Sequence, residues 1–215
     1  RLMRERNYFG TMLVETGQAD AMITGYSHAY PNAIRPVLEI IKKEEGVTRI
    51  AAASIMLSKQ GPIFLSDATI NIDPSAADLA NIALLTAKAV KFFGLEPSVA
   101  MLSYSNFGSA TSESTLKVRE AVAYLHKHHP DLVVDGEIQA DFALNPDKIA
   151  KTYPFSKLNN GKGANALIFP NLEAANISYK LLKETQHLDT IGPVIMGLTK
   201  PIHITTIGST VDEMV

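Results

Sequence analysis

Val99-Ala-Met-Leu-Ser-Tyr-Ser-Asn-Phe-Gly-Ser109 is an apolar run that ends in a loop of small residues, with a helix pattern starting from Ser112. Val99 to Leu102 read as a buried strand of a mostly parallel sheet. Ser103, Ser105, Asn106, Gly108 and Ser109 then offer hydroxyls, an amide and open backbone. A strand that runs into a helix through such a loop aims N–H groups and the positive end of the helix dipole at one spot, which suits phosphate. The glycine-lysine-Ser/Thr ending of a P-loop and the spaced glycines of a dinucleotide fingerprint are both missing. The same stretch reads equally well as an ordinary strand-to-helix turn.

Outward from this stretch, strands and helices alternate. Before it, residues 1–17 read as a helix closed by Gly17, Ala19 to Gly25 as a strand and Ile34 to Lys43 as an amphipathic helix. Arg35 would then stand in a first turn, where a cation opposes the dipole and needs a reason to be there. Arg49–Leu57 and Pro62–Asp67 form a hairpin about Ser58-Lys-Gln-Gly61, and Asp73-Pro74-Ser75 opens a long apolar helix to Phe93. After it come a helix to His129, a strand over Leu132–Ala140, a strand over Ala164–Phe169, a helix opened by Pro170-Asn171, and strands at Ile191–Met196 and Pro201–Thr205. The alternation argues a layered α/β fold with a central sheet, and the hairpin and the return at the end suggest two lobes; the expected class is a two-lobed, three-layer α/β/α fold with mixed, mostly parallel sheets. Residues 1–44 and 195–215 would build part of one lobe and residues 45–194 the other. The default site is a cleft between the 103–109 loop and the 170–176 helix start.

Composition narrows the function. The 215 residues can bury a substantial core, and a net charge of -2 argues against nucleic acid or a membrane surface as partner. With no cysteine, disulfides, thiolate metal sites and cysteine nucleophiles are excluded, and a cytoplasmic location is expected. No Gly-x-Ser-x-Gly elbow or triad context supports hydrolase chemistry. His126, His128 and His129 lie at a helix end before Pro130, where positive charge is favourable, so no metal site is expected. Asp135, Glu137, Gln139 and Asp141 fall on one face of a strand by its period of two; such a row can bind magnesium or hold a sugar hydroxyl, and it reads more readily as the polar face of a strand that orients loops by hydrogen bonds. Asn171 reads as a helix cap and Thr210-x-x-Glu213 as a capping box. The chain opens inside a helical pattern and stops just as another helix is announced, so it reads as excised from a longer polypeptide.

Several stretches together carry a family resemblance. Asn7-Tyr-Phe-Gly-Thr-Met-Leu-Val with Ala19-Asp-Ala-Met-Ile-Thr-Gly25, Ile34-Arg-Pro-x-Leu38, Met101-Leu-Ser-Tyr-Ser105 with Gly108-Ser109, Asp135-Gly-Glu-Ile-Gln139, Phe169 to Lys180 and Ile191 to Pro201 are similar to phosphotransacetylase, or phosphate acetyltransferase. Ser105-Asn-Phe-Gly-Ser109, Gln139-Ala-Asp141, Tyr153-Pro-Phe-Ser156 and Ala174-Ala-Asn-Ile-Ser-Tyr179 most resemble the C-terminal phosphotransacetylase-like domain of bacterial NADP-dependent malic enzymes. The family resemblance implies a cleft for coenzyme A and acyl phosphate in a homo-oligomer, dimer or higher. It places the phosphate arginine at Arg35, the transition-state hydroxyl at Thr206 and the base at Glu213. The implied ligand-binding set is Arg35, Ser103, Ser105, Asn106, Gly108, Ser109, Lys117, Asn171 and Asn176.

The chain departs from the family pattern at two cations: Ile207 stands where an arginine is usual, and Asn106-Phe107 replaces Thr-Lys. Each charge-assisted contact to an anionic transition state is worth about 2–4 kcal/mol, so transfer would slow by orders of magnitude. The expectation drawn from this is a regulatory domain that binds acetyl-CoA as an allosteric effector of an NADP-dependent malic enzyme. NADP and a divalent metal would then lie in the oxidoreductase portion upstream. An active phosphate acetyltransferase and a purely structural oligomerisation domain are the alternatives.

Overall fold

The computed structural model describes residues 2–26, 29–205 and 209. A short 3-10 turn, Leu2–Arg4, precedes α1 (Arg6–Glu15), which Glu5 caps by accepting the N–H groups of Asn7 and Tyr8. Then follow β1 (Met22–Gly25), α2 (Tyr30–Ile40), β2 (Ala51–Ser58), β3 (Gly61–Ser66), α3 (Ala76–Phe92), β4 (Ser98–Leu102) and α4 (Glu113–His128). The remainder is β5 (Val133–Ile138), α5 (Ala140–Ala143), α6 (Pro146–Thr152), β6 (Ala166–Ile168), α7 (Leu172–Gln186), β7 (Thr190–Met196) and β8 (Ile202–Thr205).

The main sheet has six strands in the order β5-β4-β6-β3-β2-β7. β3, β4, β5 and β6 are mutually parallel, and β2 runs antiparallel to both β3 and β7. This is the expected α/β fold with a mixed, mostly parallel sheet. Side chains alternate across it. Ile55, Phe64, Val99, Met101, Ala166 and Ile168 enter one core with Leu79, Ile82 and Val90 of α3 and Val118 and Leu125 of α4. Their neighbours Met56, Leu65, Ala100, Leu102 and Leu167 enter a second core on the opposite face, with Ile149 of α6 and Leu158. Burial on both faces is why these strands read as continuous apolar runs.

β1 and β8 form a separate two-stranded parallel sheet. It joins a third core in which Val14 of α1 and Ile34 and Val37 of α2 meet Ile202 and Ile204. β1 closes tightly on its partner at Gly25, whose φ is +110° and where a Cβ would lie 2.1 Å from the Thr205 carbonyl oxygen.

The structure corrects three sequence readings. α2 begins at Tyr30, because Pro31 in its first turn sets a helical φ and lacks only an N–H that would be unbonded there. Arg35 is therefore the sixth residue of the helix, and the dipole conflict expected of a first-turn cation does not arise. β5 stops at Ile138, and its pairing with β4 shifts register between Met101 and Leu102. The period of two breaks there, so the expected row dissolves: Glu137 and Ile138 are both buried, Gln139 caps α5 and Asp141 lies in that helix. Helices α5 and α6 were not expected from the sequence.

Candidate functional site

Four connections lie at the carboxyl ends of parallel strands: residues 67–75 after β3, 103–112 after β4, 139 onward after β5 and 169–171 after β6. Ligands of open α/β sheets gather at this edge. The first of these loops is anchored by Asp67. Its carboxylate accepts the N–H groups of Thr69 (2.8 Å), Ile70 (3.0 Å) and Asn71 (3.2 Å) and the Asn71 amide (2.6 Å). Burial pushes the Asp67 carboxyl upward against the pull of these donors. It also raises the Tyr30 hydroxyl, to which the Asp67 charge adds and for which the described residues provide no hydrogen-bond partner.

The 103–110 loop is built around Glu137, which is 1% exposed. Glu137 Oε1 accepts the Ser105 hydroxyl (2.8 Å), the Gly108 N–H (2.8 Å) and Arg119 Nη2 (2.9 Å), while Oε2 accepts Arg119 Nε (2.7 Å). Its backbone carbonyl takes the Phe107 N–H at 2.8 Å, and Arg119 Nη2 also donates to the Ala110 carbonyl at 2.5 Å. Burial alone would push the Glu137 carboxyl up, but Arg119, the Gly108 amide and the Ser105 hydroxyl together hold it below the ordinary carboxylate range. The paired carboxylate in turn raises Arg119. The fork-on-carboxylate geometry satisfies a charge that would otherwise be costly at this depth.

The expected anion cradle is thus filled from within. The N–H groups of residues 105 to 110 are bonded in turn to Ser103 Oγ, Ser109 Oγ, the Glu137 carbonyl, Glu137 Oε1, the Asn106 carbonyl and Ser105 Oγ. Asn106 exchanges two hydrogen bonds with Gln139, at 2.9 and 2.8 Å. Of the backbone donors that the sequence offers to a phosphate, the Gly108 N–H holds the protein's own carboxylate, and the other five are bonded to hydroxyls and carbonyls of the loop and of residue 137.

The other expected ligand residues are placed as follows. Lys117 of α4 reaches across to Asp73 (2.6 Å), an acid whose side chain is 79% exposed. Asn171 caps α7 by accepting the Ala174 N–H at 2.9 Å, and Asn176 donates to the Ala68 carbonyl at 3.0 Å. These residues cluster with the β3 and β6 connections. Arg35 lies apart on α2, 76% exposed, donating to Glu39 at 2.8 Å, and Glu39 also accepts the Tyr8 hydroxyl. Thr206 and Glu213 lie outside the described residues.

His126 Nε2 donates to the Val134 carbonyl at 2.8 Å, and among the described residues no group of three or more His, Asp or Glu is placed to hold a metal ion. A separate cavity of about 600 Å³ lies between the β7 edge, the end of α3 and β8, lined by Phe92, Phe93, Met196 and His203. It shares no residue with the 103–110 loop. Among the described residues, no helix is long and apolar enough to cross a membrane.

Arg119 was not singled out from the sequence. The available signal was an acid inside a strand buried on both faces, which demands a cation from a neighbouring helix.

A layered α/β sheet with polar loops gathered at its carboxyl edge is the architecture of a protein that takes a small molecule at that edge. The chain belongs to the phosphate acetyl/butaryl transferase family, whose model matches residues 1–215. It is 39% identical to a phosphate acetyltransferase of Bacillus subtilis over 214 residues, which cover 100% of this chain and 66% of that protein. Two solved structures are similar: the EutD phosphotransacetylase from Staphylococcus aureus, with TM-score 0.88, and a phosphotransacetylase from Streptococcus pyogenes, with TM-score 0.89. Each is 38% identical, with 99% of this chain and 65% of the other covered. The chain therefore spans just under two thirds of the length of these relatives.

These matches correct the functional expectation. The relatives at 37–39% identity carry the name phosphate acetyltransferase, and none of these similarities points to a malic enzyme, an oxidoreductase or NADP. Two substituted cations, at positions 107 and 207, do not outweigh a family pattern kept along the rest of the chain.

Proposed function

We propose that this chain catalyses acetyl transfer between coenzyme A and phosphate. The observation that carries the reading is the family match along all 215 residues. In this reaction the coenzyme A thiolate attacks the carbonyl carbon of acetyl phosphate, the bond from that carbon to the phosphoryl oxygen breaks, and phosphate leaves. On the family pattern, Arg35 holds the phosphate, Glu213 takes the thiol proton and the Thr206 hydroxyl supports the developing oxyanion. Lys117 and Arg35 suit exchangeable contacts, since each is paired with a solvent-exposed acid that contributes little and is readily replaced by a phosphate oxygen. Arg119 is committed to Glu137. Ser103, Ser105, Asn106, Gly108, Ser109, Asn171 and Asn176 shape the wall against which acetyl-CoA lies. The protein works in the cytoplasm as a dimer or larger homo-oligomer, with residues 1–44 and 195–215 in one lobe and 45–194 in the other.

Release of free coenzyme A from acetyl-CoA tests the reading. A thiol reagent reports it without background, because the chain has no cysteine. Thiol release that depends on added phosphate, and a KM for phosphate raised on the order of tenfold or more in Arg35→Met, are the expected results. Absence of phosphate-dependent release at millimolar substrates refutes it.

A further inference from the structure

Glu137 has no part in the transfer just described, yet it holds three residues of the 103–110 loop, Ser105 and Gly108 through its side chain and Phe107 through its main chain. Its side chain collects a hydroxyl, an amide and a guanidinium, and its main chain holds Phe107. We propose that Glu137 is a positioning residue, the internal counter-anion that locks Arg119 and the 105–110 loop into a fixed wall of the coenzyme site. The structural half stands on geometry alone, and the catalytic half rests on the transferase reading.

Two observations argue this beyond ordinary core packing. First, six successive amides of the loop are satisfied within the loop and by residue 137, so the wall cannot turn its N–H groups outward to follow a ligand. It must be correctly shaped beforehand. Second, Arg119 sits on α4 with a third of its side chain exposed, close enough to Ala110 to bond its carbonyl. Without Glu137 this guanidinium would be a free cation beside the cleft, able to capture phosphate in a non-productive place. The carboxylate therefore both shapes the loop and withdraws an arginine from competition.

Glu137→Gln is the test. The amide keeps the shape but sets an NH2 group against donors that faced a carboxylate oxygen. Hydrogen exchange of the 103–112 peptide should quicken on the order of 10–100-fold at Phe107 and Gly108. The KM for coenzyme A should rise on the order of tenfold, with a smaller fall in kcat. The double variant Arg119→Gln with Glu137→Gln should cost no more than the worse single variant, since the pair acts as one unit.

Unchanged exchange in a folded Glu137→Gln overturns the proposal, as do faster exchange with unchanged kinetic constants and strictly additive variants. Should that variant not fold, Ser105→Ala carries the test: quicker exchange at Gly108 and Ala110 supports the wall, and wild-type exchange overturns it. A wild-type chain without phosphate-dependent thiol release removes the transferase reading, and loop exchange alone then decides whether Glu137 builds the wall.

Discussion

Gly25→Ala is expected to be far more damaging than its size suggests. Gly25 closes β1 with φ at +110°, and an added Cβ would lie 2.1 Å from the Thr205 carbonyl oxygen and 2.8 Å from its nitrogen. Both are backbone atoms of the paired strand, so no side chain can rotate out of the way. The disfavoured φ costs about 1–3 kcal/mol. The overlap, which forces the strands apart, adds about 1–3 kcal/mol. A combined loss of about 2–6 kcal/mol is a large part of a typical stability of about 5–15 kcal/mol. At roughly 2–4 °C per kcal/mol for a chain of this size, the midpoint should fall by roughly 4–24 °C. Thermal melting followed by circular dichroism reads it. Gly94→Ala is the control: its φ is +75°, but a Cβ there would meet nothing within 4 Å. Only the backbone cost of about 1–2 kcal/mol applies, a shift of about 2–8 °C. Equal shifts in the two variants would mean that the close approach of β1 to β8 contributes nothing, and the reasoning would fail.

Three further outcomes are expected. Leu158→Ala, at a fully buried position of the second core, should cost about 2–5 kcal/mol in denaturant unfolding, with the slope on denaturant unchanged. Ser75→Ala removes the hydroxyl of a capping box whose other half is Asp78, and should lose about 1 kcal/mol without altering the main sheet. Because Glu137 is held below its ordinary value of 4.5, its contribution is complete above that pH and is lost as pH falls through the lower folded value. Stability of the wild type should therefore drop in acid more steeply than that of Glu137→Gln. Parallel acid profiles for the two proteins would contradict this.

The sheet and its two large helices were legible because their signals are local. The β2–β3 hairpin follows from two apolar runs about a Ser-Lys-Gln-Gly turn, and α3 from a cap, an apolar face and Gly94. α2 was misplaced by four residues at its start because Pro31 reads as a break as readily as a first turn. The site was less legible for a different reason. That Ser105, Gly108 and Asn106 are polar and poised for bonding can be read from their types. Which partner they take depends on residues about 30 positions away, Glu137 and Gln139, brought alongside by the pairing of β4 with β5. The period of two could not anticipate the register shift in that same pairing or the end of β5 at Ile138, which leaves Glu137 buried and Asp141 exposed on α5.

The pairing of β1 with β8 joins Met22 to Ile202 and Gly25 to Thr205. On a ribosome the first of these strands emerges long before the second, so until β8 is made the chain carries an uncompleted half of a sheet. Strands β2 to β6, whose early hairpin and neighbouring helices are close in sequence, can pair in that interval, while β7 and the β1–β8 clasp come later. Gly25 therefore guards a joint whose failure would leave a largely structured but open molecule, ready to exchange that strand with another copy of itself.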